Sequence, residues 1–130
     1  MPERMFAPGF RVTRHDGLIL AAGLAAVALL APARGRLALI VAMAVGHFFL
    51  FCNVFRIRRL PELVWAAVFI VCGGLVQGEV LGWPVAVVAW EAVAAVLIGL
   101  EMRDPSYHGI GWRWINPGLP PWWRERNGGE

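Results

Sequence analysis

The stretch Leu37–Phe55, LALIVAMAVGHFFLFCNVF, decides the fold. Its apolar residues run on without polar alternation, so no face is set aside for water. As a helix rising 1.5 Å per residue it reaches about 28 Å, close to the roughly 30 Å hydrocarbon core of a bilayer. A segment in lipid must pair its backbone groups internally, which selects the helix. A single histidine, His47, sits in the middle of this oily run.

Outward from it, three more apolar segments follow the same rule. Residues 18–33 read LILAAGLAAVALLAPA, residues 63–81 read LVWAAVFIVCGGLVQGEVL, and residues 83–101 read WPVAVVAWEAVAAVLIGLE. The expected fold is an all-α membrane protein, a four-transmembrane-helix bundle with an irregular, aromatic-rich C-terminal tail. Two regions follow: a four-span domain over residues 1–102 and a cytoplasmic interfacial tail over residues 103–130. The first segment has a rival reading. Arg11 and Arg14 precede it and Ala31-Pro32-Ala33 closes it, the pattern of a secretory signal with its cleavage site. Glu3 and Asp16 in its leading region, and a second apolar segment only a few residues on, argue for a retained span.

Arginine placement sets the orientation. With four spans, Arg4, Arg11, Arg14, Arg56, Arg58, Arg59, Arg103, Arg113, Arg124 and Arg126 fall on one side and only Arg34 and Arg36 on the other. Positive residues stay cytoplasmic, so both termini are expected inside. All basic residues are Arg, Ala is abundant, and no eukaryotic signal is present. The expected location is therefore a bacterial inner membrane.

Gly74, Gly78 and Gly82 recur every fourth residue, on one helical face. In lipid, small residues let helices approach closely, so these glycines are expected at a packing face. For Gly78 and Gly82 a place in the turn between the last two spans serves as well. In the tail, Pro105, Pro117, Pro120 and Pro121 exclude a long helix. Its tryptophans, Trp112, Trp114, Trp122 and Trp123, suit the membrane interface, with the tail arginines near anionic headgroups. The same Trp and Arg content also suits a docking surface for a protein partner.

Chemistry is confined to few side chains. Between His15 and Pro105 there is no Ser, Thr, Tyr or Lys. His47 lies about 15 Å into its span and Glu91 about 12 Å into the last one, nearly level with each other. Asn53, Gln77 and Glu79 are polar groups nearer the ends. An acid at a helix centre costs about 2.5–3.5 kcal/mol on insertion scales. Glu91 needs a partner: His47, a Trp indole, a backbone carbonyl if the acid is protonated, or a group on another chain. A His47–Glu91 pair across two helices is the simplest arrangement. Three roles compete for it: a structural contact fixing helix register, a proton- or ion-handling site, or ligation of haem or metal through His47 with help from Met43. A second histidine at the same depth is lacking, and His15 and His108 lie at the inner boundary. No cofactor and no metal site is therefore expected.

Cys52 and Cys72 are twenty residues apart in apolar segments, which suits small buried hydrophobes better than a redox or zinc pair. A net charge of +3, with arginines clustered at the ends of apolar segments, fits membrane flanks rather than nucleic-acid binding. No G-x-S-x-G, phosphate-cradling Gly loop or H-E-x-x-H occurs, so no enzyme is expected. The expected function is that of an accessory or assembly subunit of a larger membrane complex, partnered by the bilayer and by other membrane subunits or copies of itself. The rival is a small oligomeric proton-coupled transporter or ion conductor built on the Glu–His pair.

Overall fold

A computed structural model describes residues 5–128. All regular structure among the described residues is helical, with no strand. In order it comprises α1 (Arg14–Leu30), α2 (Gly35–Phe49) running into a π-helical turn (Leu50–Val54), α3 (Arg59–Gln77), α4 (Trp83–Met102), α5 (Trp112–Ile115) and α6 (Leu119–Asn127). Three helices are long and apolar enough to cross a membrane: Gly35–Val54, Arg59–Gln77 and Trp83–Met102. The chain is thus suited to a multi-pass membrane protein. α1, of 17 residues, packs along α2.

Local chemistry explains the boundaries. Thr13 and Asp16 form a reciprocal capping box that starts α1. The Thr13 amide donates to Asp16 Oδ2 at 2.6 Å and the Asp16 amide to Thr13 Oγ1 at 3.3 Å, which satisfies two otherwise unpaired N–H groups. α3 begins at Arg59, four residues before the apolar run, because Pro61 is tolerated in a first helical turn and Glu62 suits its dipole. It ends at Gln77, earlier than hydropathy implies. Gly78 caps it and Glu79 takes a left-handed conformation with φ of 59°, closing the turn toward α4.

For Gly74 the structure departs from the expected packing face, while Gly78 and Gly82 take the alternative, a place at the turn between α3 and α4. A Cβ on Gly74 would meet nothing within 4 Å, and Gly78 and Gly82 are the C-cap of α3 and the N-cap of α4. None of the three mediates a helix–helix approach within the chain. The close approach lies elsewhere: a Cβ on Gly23 of α1 would stand 2.8 Å from the Val45 side chain of α2. The tail also differs from an irregular segment. Pro120 and Pro121 fall in the first turn of α6, where a missing N–H costs nothing, so the Pro-rich run starts a helix instead of preventing one.

The core is aromatic. Phe51, Trp65, Phe69 and Trp90 are buried with Val76, Ala86 and Ala94. Their rings form a continuous row: Trp65 stacks on Phe69 at 4.7 Å, Phe69 leans on Trp90 at 4.8 Å, and Trp83 meets Trp90 edge-on at 6.2 Å. Trp65 Nε1 donates to the Trp90 carbonyl at 3.0 Å, locking α3 to α4.

Candidate functional site: a His–Glu pair beside an aromatic core

His47 is the last-turn residue of α2 that faces inward, and it is buried. Its ring stacks on Trp65 with centroids 4.5 Å apart and planes 14° apart, and it meets Phe51 edge-on. The histidine is thereby the first ring of the aromatic row. Nδ1 donates to the Met43 carbonyl one turn back at 2.8 Å. A carbonyl can only accept, so Nδ1 carries the proton and Nε2 is left for another partner.

That partner is Glu91. Nε2 and Glu91 Oε1 are 3.1 Å apart, so the structure brings together the two groups the sequence singled out. Their environments differ sharply. The His47 side chain is 10% exposed and that of Glu91 is 47% exposed, on the outward side of α4. If Nε2 were a bare lone pair and the carboxylate ionised, the contact would be repulsive. One proton, carried by either group, makes it attractive and leaves the pair with no net charge. A neutral pair is what a low-dielectric surrounding tolerates.

The other polar residues do different work. Asn53 is buried in the π-helical turn. Its Nδ2 donates to the Arg11 carbonyl at 2.7 Å, and the Arg11 amide donates back to the Asn53 carbonyl at 3.1 Å. A π-turn shifts the hydrogen-bond register and frees carbonyls. Here the Val54 carbonyl accepts from the Ile110 amide at 2.7 Å, so one turn of α2 holds both the N-terminal segment and the tail. Gly109 lies against it so closely that a Cβ would stand 2.2 Å from the Phe55 oxygen. Gln77 and Glu79 lie exposed at the opposite end, far along α3 from this hub. Glu79 meets Arg36 at 3.5 Å, a solvent-type pair worth roughly 0–1 kcal/mol.

A third polar feature lies where α4 ends. Glu101 near the end of α4 is buried, 5% exposed. Its carboxylate accepts from the Arg58 guanidinium at 2.7 and 3.0 Å and from the Arg58 backbone N–H at 3.2 Å. Arg58 also reaches Asp104 Oδ2 at 3.2 Å. Two hydrogen bonds from Ser106 and the nearby Arg58 charge hold the Asp104 carboxyl below the usual carboxylate range. The signal in the sequence was present, since Arg58, Glu101 and Asp104 fall at the same end of their helices. What it lacked was the bend after Val54 that turns the Arg58 amide and guanidinium toward one carboxylate.

The tail tryptophans separate into two kinds. Trp112 and Trp123 pack around Phe6 at 5.8 and 5.6 Å, and Trp122 lies under Arg126 at 5.0 Å. Trp114 stands free, 89% exposed, between Arg113 and Ile115. Cys72 is half-buried and Cys52 exposed, contrary to the expectation of two buried thiols. Among the described residues no group of three or more His, Cys, Asp or Glu is gathered as a metal site would require. Family models, curated proteins and solved structures yield no match to this chain.

Proposed function

We propose that the protein is a four-span bacterial inner-membrane protein with both termini cytoplasmic. In this reading α1 is the first span and the α5–α6 tail lies at the inner interface. Its role is that of an accessory or assembly subunit of a larger membrane complex, without catalysis of its own. The observation that carries this reading is the direction in which the mid-helix His47–Glu91 pair opens. Behind His47 lies the stacked row Trp65, Phe69 and Trp90, which fills the centre of the three long helices. Glu91 opens sideways through the outer face of α4. A polar group that opens sideways suits contact with another subunit better than a path along the helix axes.

The pair itself favours a second reading. A histidine and a glutamate 3.1 Å apart near the middle of two long helices, with the glutamate accessible, also suit a proton-coupled transporter or ion conductor in which several chains surround the pathway. Affinity purification in mild detergent, with mass spectrometry, separates the two. A stoichiometric partner supports the accessory reading. A homo-oligomer alone sinks it, and Glu91→Gln in liposomes then tests the second: pH-dependent flux is lost while insertion persists. Flux unchanged by Glu91→Gln would remove that reading as well.

A further inference from the structure

We propose that the outer face of α4 around Glu91 docks a transmembrane helix of a different protein, one that presents a hydrogen-bond donor (arginine, lysine, asparagine, glutamine or a hydroxyl) at the depth of Glu91. The inference rests on the accessory-subunit reading and gives its partner a chemistry.

Three features of the face converge. Glu91 lies near the middle of a 20-residue apolar helix, yet its side chain is 47% exposed. His47 engages Oε1; Oε2 has no ion pair or hydrogen bond among the described residues. A carboxylate oxygen at that depth accepts hydrogen bonds and finds none to accept. Around it, Val88, Ala92, Ala95 and Gly99 are all exposed on the same side of the helix, spaced by three and four residues. A Cβ on Gly99 would meet nothing within 4 Å. Small side chains beside a polar one are the surface on which a second helix can approach closely enough to hydrogen-bond.

The occupant is narrowed by what the alternatives lack. Acyl chains carry no donor. A second copy brings none at this level either. His47 Nδ1 is spent on the Met43 carbonyl, Trp65 Nε1 on the Trp90 carbonyl, and Trp90 is fully buried. No Ser, Thr, Tyr or Lys occurs between His15 and Pro105, and the Cys72 thiol is at best a weak donor. Two copies meeting through α4 would oppose two Glu91 carboxyl groups with no donor side chain of either copy between them. Only a foreign helix completes the site.

The test places a benzoylphenylalanine photo-cross-linker at Val88 or Ala95, with Ile70, exposed on α3, as the control position. Irradiation is done in native membranes and the cross-linked peptide is sequenced. The expected product from both α4 positions is a segment of another membrane protein with a donor side chain within one turn of the cross-link. Glu91→Leu should lower its yield at least tenfold. Ala92→Leu, which leaves the His47–Glu91 pair intact and blocks close approach, should do the same, so loss through misfolding is separated from loss of docking. Cross-links to lipid alone, to a second copy alone, or to a helix without a donor overturn the proposal, as does a yield unchanged by Glu91→Leu. A stoichiometric co-purifying partner that cross-links elsewhere would overturn it while leaving the accessory reading standing. Absence of any foreign partner by either method would remove both.

Discussion

His47 does two jobs with one ring, and they predict different outcomes for different substitutions. The ring fills the end of the aromatic row against Trp65, and its Nε2 compensates Glu91. His47→Ala removes both and leaves the acid alone. Breaking a fully buried pair costs 3–5 kcal/mol; with Glu91 half-exposed, a loss of about 2–3 kcal/mol is expected. His47→Phe with Glu91→Leu keeps the stack and removes the charge problem, so it should recover most of that loss. Equilibrium unfolding in mixed micelles measures both. A double variant no more stable than His47→Ala would show that the ring's hydrogen bond to Met43, not the pair, holds the site.

A second residue-scale prediction concerns acid. Asp104 accepts from the Ser106 hydroxyl and amide and faces Arg58, and its folded carboxyl titrates below its ordinary range. Its stabilising contribution is complete above the unfolded pKa. It is lost as pH falls through the ordinary carboxylate range toward the folded value. The tail that follows Asp104 should therefore become more accessible to protease on acidification. In Ser106→Ala the transition should move to higher pH, because the largest cause of the depression is gone. Identical protease-versus-pH curves for the two proteins would rule this linkage out.

Among elements, the tightest joint is α1 against α2. Gly23 leaves no room for a side chain: the Val45 methyls would stand 2.8 and 2.9 Å from an added Cβ. Overpacking of this kind costs typically 1–3 kcal/mol. Gly23→Val should destabilise the α1–α2 contact by about that amount, and Gly23→Val with Val45→Ala should restore part of it. Gly74→Val is the contrast, since its Cβ meets nothing, and should be near neutral in the isolated chain. Unfolding midpoints of the four proteins decide the matter. The π-turn is the second joint. Asn53→Ala breaks the Nδ2 bond to the Arg11 carbonyl and leaves that carbonyl without this partner. Hydrogen exchange in residues 5–13 should accelerate by roughly fivefold, matching about 1 kcal/mol for one net hydrogen bond. Unchanged exchange would mean that the remaining bonds, Arg56 to the Ala7 carbonyl and the backbone bonds of Gly9 and Arg11, hold the segment without it.

At the scale of the molecule, polar contacts are graded along the three long helices. One end carries the dense set: the Arg58–Glu101 fork, Asp104 with Ser106, and the N-terminal segment and tail tied to the π-turn. Among the described residues, the middle holds the His47–Glu91 pair and the Trp65–Trp90 hydrogen bond, and the other end the exposed Arg36–Glu79 contact. Stability should follow the same gradient. Arg58→Ala, which takes the guanidinium from a buried carboxylate and leaves it the residue 58 amide, should cost more than Arg36→Ala, which touches one exposed acid. Paired unfolding measurements check the order, and an equal or reversed cost would show that the Glu101 fork is not the clamp its geometry suggests.

The sequence by itself determined the helical class, three of the long apolar helices to within a few residues, and the level at which His47 and Glu91 meet. Each of these depends on length, hydropathy or rise along one helix, which are local quantities. The positions of the helix ends depended on caps and on left-handed residues such as Arg56 and Glu79, so they shifted by up to four residues from the apolar boundaries. What only the tertiary structure decided was direction. Gly74, Gly78 and Gly82 share a wheel position, but whether that position meets a neighbour depends on where the neighbour lies, and here Gly23 takes the close contact instead. Glu101 and Asn53 were legible as polar residues near helix ends. Their burial arises because the bend after Val54 folds the N-terminal segment, Arg58 and the tail against one another. Nothing in the periodicity of a helix encodes that contact, since it joins residues more than forty positions apart.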